Sequence, residues 1–288
     1  MLMSLIPAIL LTAQPTPQEL AEQTRAFRAK RESRLRAEDG WLTLVGLDWL
    51  DEGANPAGSA ADAKIQVPAP CPAHLGTFTR EGKKIGFQPA AGIAVAIAGK
   101  PFTGGPLKTD ADGEPDVLDV AGLHIFAIVR GDRVGLRIKD PNAPARKNFA
   151  GIPAWEPDLA WRVVARWEPT PGATIPVPNI LGQVEDQPVP GVAIFTIDGK
   201  EYRLRPIQEP GDTQLFFIFG DETNKKESYG AGRFLYADAP AEGHVVLDFN
   251  RALNPPCAFS HFATCPIPPQ GNRLPIRVIA GEKRFGEH

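Results

Sequence analysis

Cysteine, histidine, net charge and long apolar runs are all scarce in this chain, and each scarcity excludes something. Three cysteines stand at 71, 257 and 265, and none forms a CxxC pair, which removes the usual short metal and redox signatures. Five histidines, at 74, 124, 244, 261 and 288, include no HExxH. Neither a GxxxxGK[ST] phosphate loop nor a GxSxG nucleophile turn is present. A formal net charge of -3 leaves no electrostatic footprint for nucleic acid. No apolar run is long enough to span a bilayer. The one apolar stretch near the start, residues 5–13, ends in Leu11-Thr-Ala13 and is followed by Gln14-Pro-Thr-Pro17. It reads as the core of a secretory signal peptide, so a periplasmic or secreted location is expected, with a mis-started N-terminus and a cytoplasmic protein as the other reading.

Proline and glycine, by contrast, are plentiful, at 30 and 28 residues, and they punctuate short apolar runs. Such a chain is built from strands and turns rather than long helices. With 288 residues and 43% hydrophobic content it can bury a sizeable core. Pro17–Leu35 is the helix candidate, with Glu19 and Glu22 near its start and Leu20, Phe27 and Leu35 on one stripe. Its basic residues Arg25, Arg28, Lys30, Arg31, Arg34 and Arg36 read as a solvated helix face. Glycines at 82, 131 and 199 sit between β-prone runs and mark hairpins over residues 77–87, 125–138 and 192–204. His124 alternates with apolar neighbours and reads as structural. Prolines at 169, 171, 176, 178, 188 and 190 suggest a stiff joint near residue 170. The expected architecture is mainly β: a possible signal peptide (1–13), an N-terminal helix (14–40), and two packed β-sandwich or barrel-like units (41–170 and 171–288).

Residues 221–272 differ in texture, mixing charged groups and amides with aromatics and prolines. The runs Gly40-Trp-Leu-Thr-Leu-Val-Gly-Leu47, Asp221-Glu-Thr223, Tyr229-Gly-Ala-Gly-Arg-Phe-Leu235 and Leu247-Asp-Phe-Asn-Arg-Ala252 carry a family resemblance. So do Asn254-Pro-Pro-Cys-Ala-Phe259, Ala263-Thr-Cys-Pro-Ile-Pro-Pro269, Asn272-Arg-Leu-Pro275 and Ala280-Gly-Glu-Lys283. Together they resemble the prokaryotic proteins of the domain of unknown function 1684 family, a resemblance that implies no activity and no cofactor. His261 lies outside its recurring pattern. In the first half, Asp51-Glu-Gly-Ala-Asn-Pro-Ala-Gly-Ser59 with Lys64-Ile-Gln-Val67 is similar to the opening of forkhead-associated sandwiches. The phosphothreonine-reading elements of those domains are missing, so the similarity bears on fold alone.

Cys257, His261 and Cys265 are spaced by four. On a straight helix the cysteines would stand about 12 Å apart at ~1.5 Å per residue, and in a strand roughly 27 Å. Neither serves a shared metal or a disulfide, so any joint role needs the segment to turn back on itself. Pro255, Pro256, Pro266, Pro268 and Pro269 make such a turn reasonable. A Cys257–Cys265 disulfide, leaving Cys71 unpaired, two separate buried thiols, and a thiol or metal site all remain open. A second constellation is a polar pocket for a small molecule or peptide, lined by Tyr229, Asn250, Asn254, Asp221 and Asn272. In a hydrolase, Asp248 would act there as base and Arg233 as anion clamp. The structural alternative has Asp248 and Asn254 bonding to nearby backbone and Arg233 pairing with a carboxylate such as Asp221.

Overall fold

A capping box starts the only long helix among the described residues. Thr16 accepts from the Glu19 amide at 3.2 Å while its own amide donates to the Glu19 carboxylate at 2.7 Å, and Pro17 occupies the first turn. The computed structural model describes residues 14–286, so the expected signal segment 1–13 lies outside the described residues. Helix α1 (Pro17–Leu35) buries Leu20, Thr24 and Leu35, with Phe27 half-buried on the same line. Its basic residues are not simply a solvated face. Arg28 donates to the Trp155 carbonyl (2.6 Å), Arg31 to that of Asn254 (2.9 Å) and Arg36 to that of Phe149 (3.2 Å). These guanidinium forks dock α1 onto the C-terminal half, because carbonyls left over by irregular chain need donors.

The first β unit has eleven strands: β1 (Leu44–Trp49), β2 (Gly53–Gly58), β3 (Ile65–Gln66), β4 (Gly76–Glu81), β5 (Lys84–Pro89), β6 (Ala96–Ile97), β7 (Lys100–Pro101), β8 (Gly105–Leu107), β9 (Leu118–Val120), β10 (Leu123–Arg130) and β11 (Arg133–Lys139). They form a six-stranded sheet, β1-β11-β10-β9-β6-β7, and a five-stranded sheet, β3-β2-β4-β5-β8. Phe78, Ile85 and Phe87 from one and Leu123, Ile125, Leu136 and Ile138 from the other share a single core. The chain then crosses through the short helix α2 (Pro144–Lys147) to a second unit. That unit comprises β12 (Arg162–Pro178), β13 (Val184–Ile197), β14 (Lys200–Leu204), β15 (Gln214–Phe219), β16 (Arg233–Asp238) and β17 (His244–Asp248). Its sheets are β14-β13-β12-β17 and the pair β15-β16. Among the described residues, no helix is long and apolar enough to cross a membrane. The protein is mainly β, with an N-terminal helix.

All three expected hairpins form. The β13–β14 turn places Asp198 (φ 51°) and Gly199 (φ 74°) in the left-handed region that a two-residue turn requires. The joint expected near residue 170 is not there, since that position lies inside β12. Pro169, Pro176 and Pro178 of β12 and Pro188 of β13 are paired positions of one long antiparallel ribbon, which carries a bulge between Pro169 and Ala173. Proline is tolerated where its missing N–H faces no ladder acceptor, so a proline-rich run is compatible with a strand of this kind. The passage between units falls instead between Lys139 and Arg162. Beyond residue 170 the ribbon reaches back toward the first unit, where Gln183 donates to the Arg130 carbonyl at 2.8 Å.

Candidate functional site

After β17 the chain has little regular structure, and side chains hold it in place. Arg233, fully buried on β16, pairs with Asp221 at 2.7 Å and donates to the carbonyls of Val278 (2.8 Å) and Ala280. Asp221 also accepts from the Thr223 amide (2.8 Å), the Thr223 hydroxyl (2.6 Å) and the Val278 amide (3.2 Å). The pair is a clasp on the C-terminal tail. It offers no open anion clamp.

Asp248, the expected base, caps the turn over residues 249–251. It accepts from the amide of Asn250 (3.1 Å) and from its side-chain nitrogen (3.0 Å), and stands 3.3 Å from Arg251. Asn250 bonds both the amide and the carbonyl of Asp158, each at 2.9 Å. Asn272 likewise ties down Arg205 through its amide (2.9 Å) and carbonyl (2.8 Å) and also reaches the Ile218 carbonyl at 3.1 Å. Asn254 donates to the Lys283 carbonyl at 2.8 Å, and its buried Oδ1 meets no partner among the described residues. Tyr229 sits half-buried between two apolar clusters, and burial pushes its phenol up to about 12. Thus Asp221, Arg233, Asp248, Asn250 and Asn272 are engaged within the fold, by one another, by Arg251 and by backbone groups that lack a sheet partner, while Asn254 lines the cleft described below. The structure brings Asp221 to Arg233 and Asp248 to Asn250. It does not bring Asp248 and Arg233 together as acid–base and clamp.

Glu282 was missed by sequence reasoning, although it lies in the quoted Ala280-Gly-Glu-Lys283 run. It is buried, accepts from the Asn254 amide at 2.6 Å and pairs with Arg31 at 3.4 Å. Burial pushes its carboxyl up, against the opposing pull of Arg31 and the Asn254 amide. A raised folded-state pKa means the folded chain holds this proton more tightly than the unfolded chain does. Its contribution is therefore complete below the ordinary value of 4.5 and is lost as pH rises toward the folded value. Relative to the parent, Glu282→Gln should gain stability between about pH 4.5 and neutrality. Urea unfolding at several pH values measures this, and a constant difference between the two proteins would contradict it.

An open cleft lies elsewhere, between the docked face of α1 and the second unit. Its volume is about 790 Å³. Phe27, Trp41, Phe234 and Leu253 make its apolar wall. Lys30, Arg31, Arg34 and Arg251 also line it, against Asp39 as the one carboxylate of the lining. Arg31 and Arg251 are partly neutralised by Glu282 and Asp248. Lys30 and Arg34 pair with no carboxylate among the described residues. A shallower depression of about 600 Å³ beside Trp155 and Trp161 carries charges of both signs, with Glu156 and Asp158 against Lys283. The cleft joins α1 to residues some two hundred positions away, a convergence no local pattern announces.

The loop bearing Cys257 and Cys265 does turn back on itself. The Cys257 amide donates to the Cys265 sulfur at 3.1 Å, and the Cys265 amide to the Cys257 sulfur at 3.3 Å. Both are buried thiols, as is Cys71. His261 is exposed. Among the described residues, no group of three or more histidines, cysteines and carboxylates gathers as metal ligands would.

A family model described as "protein of unknown function (DUF1684)" matches residues 147–283. An uncharacterised protein of Haloarcula marismortui, solved in solution by NMR, is 30% identical over a match covering 50% of this chain and 81% of that one, with a TM-score of 0.42. No curated protein matches the chain. The matched region holds the Asp221–Arg233 clasp, the Asp248 turn and the cysteine loop, and through it the chain belongs to the DUF1684 family of proteins of unknown function.

Proposed function

We propose that this protein is a ligand-binding β protein whose cleft between α1 and the second unit takes a small organic anion with an apolar body. The carrying observation is the imbalance of charge in that cleft: four cations, two of them answered by Glu282 and Asp248, against Asp39 as the one carboxylate of the lining, set beside an aromatic wall. Lys30 and Arg34, which pair with no carboxylate among the described residues, are free to attract an anion, and an anion seated against the apolar wall feels them through a lower local dielectric than bulk water. Phe27, Trp41 and Phe234 then favour an apolar body attached to the anionic head. Export remains part of the proposal, resting on the apolar stretch at residues 5–13. The engagement of Asp248 and Arg233 within the fold favours binding over hydrolysis.

The probe is 8-anilino-1-naphthalenesulfonate, an aromatic anion whose fluorescence reports binding. One molecule per chain is expected to bind. The uncharged N-phenyl-1-naphthylamine should bind at least about tenfold more weakly, as should the anion to K30E/R34E, a decade being ~1.4 kcal/mol. Both substituted side chains are exposed on the helix, so the fold should survive. Equal affinity for both probes, or an unaffected variant, would remove the proposal.

A further inference from the structure

A second site, distinct from the cleft, lies where the two β units meet. We propose that Cys257 and Cys265 form a dithiol–disulfide exchange site in which Cys257 is the attacking thiolate and Arg137 its counter-cation. The reacting partner is a low-molecular-weight disulfide.

Geometry supplies the first support. Each sulfur accepts the backbone amide of the other cysteine, so the loop between them is closed by a reciprocal pair of N–H···S bonds. Such donors favour sulfur in its negative form. They also close the loop so that the two cysteines face one another, as making and breaking a bond between them requires.

Arg137 supplies the second. It stands on β11 in the first unit, is 8% exposed, and pairs with no carboxylate among the described residues. Its Nη2 donates to the Thr264 hydroxyl at 3.0 Å, its Nε meets no acceptor among the described residues, and the Trp41 ring lies 5.2 Å from the guanidinium carbon. Thr264 also accepts from Arg130 at 3.2 Å, and Arg130 is answered by Asp110 at 2.7 Å. Arg137 has no such answer. Burial pulls its pKa down to about 10, while Asp110 and the two cysteines act to raise it. A buried guanidinium left in that condition calls for an anion, and the neighbouring sulfurs are the groups able to become one.

The two cysteines are not equivalent. The Cys257 thiol is lowered, first by the hydrogen bond it receives from the Cys265 thiol, then by the Cys265 amide and Arg137. Cys265 is raised, because it keeps the proton it shares and is buried. Tyr229 also faces the pair, and burial, then the two cysteines, push its phenol up to about 12.

The Cys257 thiolate attacks one sulfur of a disulfide RSSR, forming Cys257–S–S–R and releasing RS⁻. Cys265 gives up its proton to that thiolate and attacks the Cys257 sulfur, expelling the second RS⁻, which takes a proton from water. The dithiol is oxidised by two electrons and the small disulfide is reduced to two thiols.

Oxidised glutathione is the probe, with mass spectrometry as the readout. The folded, reduced chain should lose two hydrogens and yield a linked Cys257–Cys265 peptide, while Cys71, a buried thiol pushed up to about 11, stays free. C265S should accumulate a mixed disulfide on Cys257. C257S should form one on Cys265 at least about tenfold more slowly, since attack rate follows the thiolate fraction. R137M should slow oxidation by a similar factor and R137K should restore most of it, because the lysine keeps the charge. Three outcomes overturn the proposal: oxidation only after unfolding in guanidinium, equal rates for C257S and C265S, or an R137M rate equal to that of the parent. The two serine variants decide the matter even if R137M does not fold.

Discussion

Asp221→Ala is expected to destabilise the protein by about 3–5 kcal/mol, measured by equilibrium urea unfolding. The substitution leaves the Arg233 charge wholly buried with no anion, and a charge in that position has neither water nor a counter-ion. It also releases the Thr223 and Val278 amides, which lose their shared acceptor. Total stabilities of about 5–15 kcal/mol make this a large fraction of what holds a domain folded. The double variant D221L/R233M should recover part of the loss, because removing both charges abolishes the buried cation. Recovery should stay incomplete, since the carbonyls of Val278 and Ala280 then lose the donor that Arg233 provides. A cost below about 1 kcal/mol for Asp221→Ala would mean that solvent reaches the arginine.

Phe249→Ala should be comparably severe, at about 3–5 kcal/mol, the range for removing a large aromatic side chain from a packed core. Phe249 is fully buried, and its ring centroid lies 5.4 Å from Phe219, 5.8 Å from Phe195 and 6.4 Å from Trp161. Edge and tilted contacts of this kind add to the area buried. The neighbouring Asp248 has a smaller part: its carboxylate caps the turn that aims Phe249 inward. Asp248→Ala should accordingly cost about 1 kcal/mol, the ordinary price of a lost cap. Thermal and urea unfolding of the two variants side by side check the order. If Asp248→Ala proved the worse of the two, the carboxylate would have a duty beyond capping.

Features decided within a few residues were legible from the sequence. Helix α1 appears at Pro17–Leu35 as expected because its start signal and apolar stripe are local, and the hairpins appear because Gly82, Gly131 and Gly199 supply positive φ at the turns. The Asp221–Arg233 pair was among the readings of the sequence, though nothing local chose it over an open anion clamp. Where the reading failed, the deciding contact was distant. Prolines 169 to 190 resemble a linker in composition, but pairing between β12 and β13 makes them strand. The basic run of α1 looks like a solvated face until the carbonyls of Phe149, Asn254 and Trp155 arrive to receive it. Arg137, between buried Leu136 and Ile138, is hidden by a neighbouring unit rather than by its own strand.

The docking of α1 has a consequence for what counts as the unit of inheritance. The region shared with the family, residues 147–283, takes its covering from the opposite end of the chain. Arg31 answers Glu282, Glu32 receives the Ile152 amide at 3.1 Å, and Leu44 packs in the same cluster as Cys257 and Cys265. A gene fragment encoding that region alone would carry most of the family's recognisable residues without the Gly40–Leu47 run and without the surface that covers them. The helix and the first strand travel with it as a lid travels with its vessel, and change in one is constrained by the shape of the other.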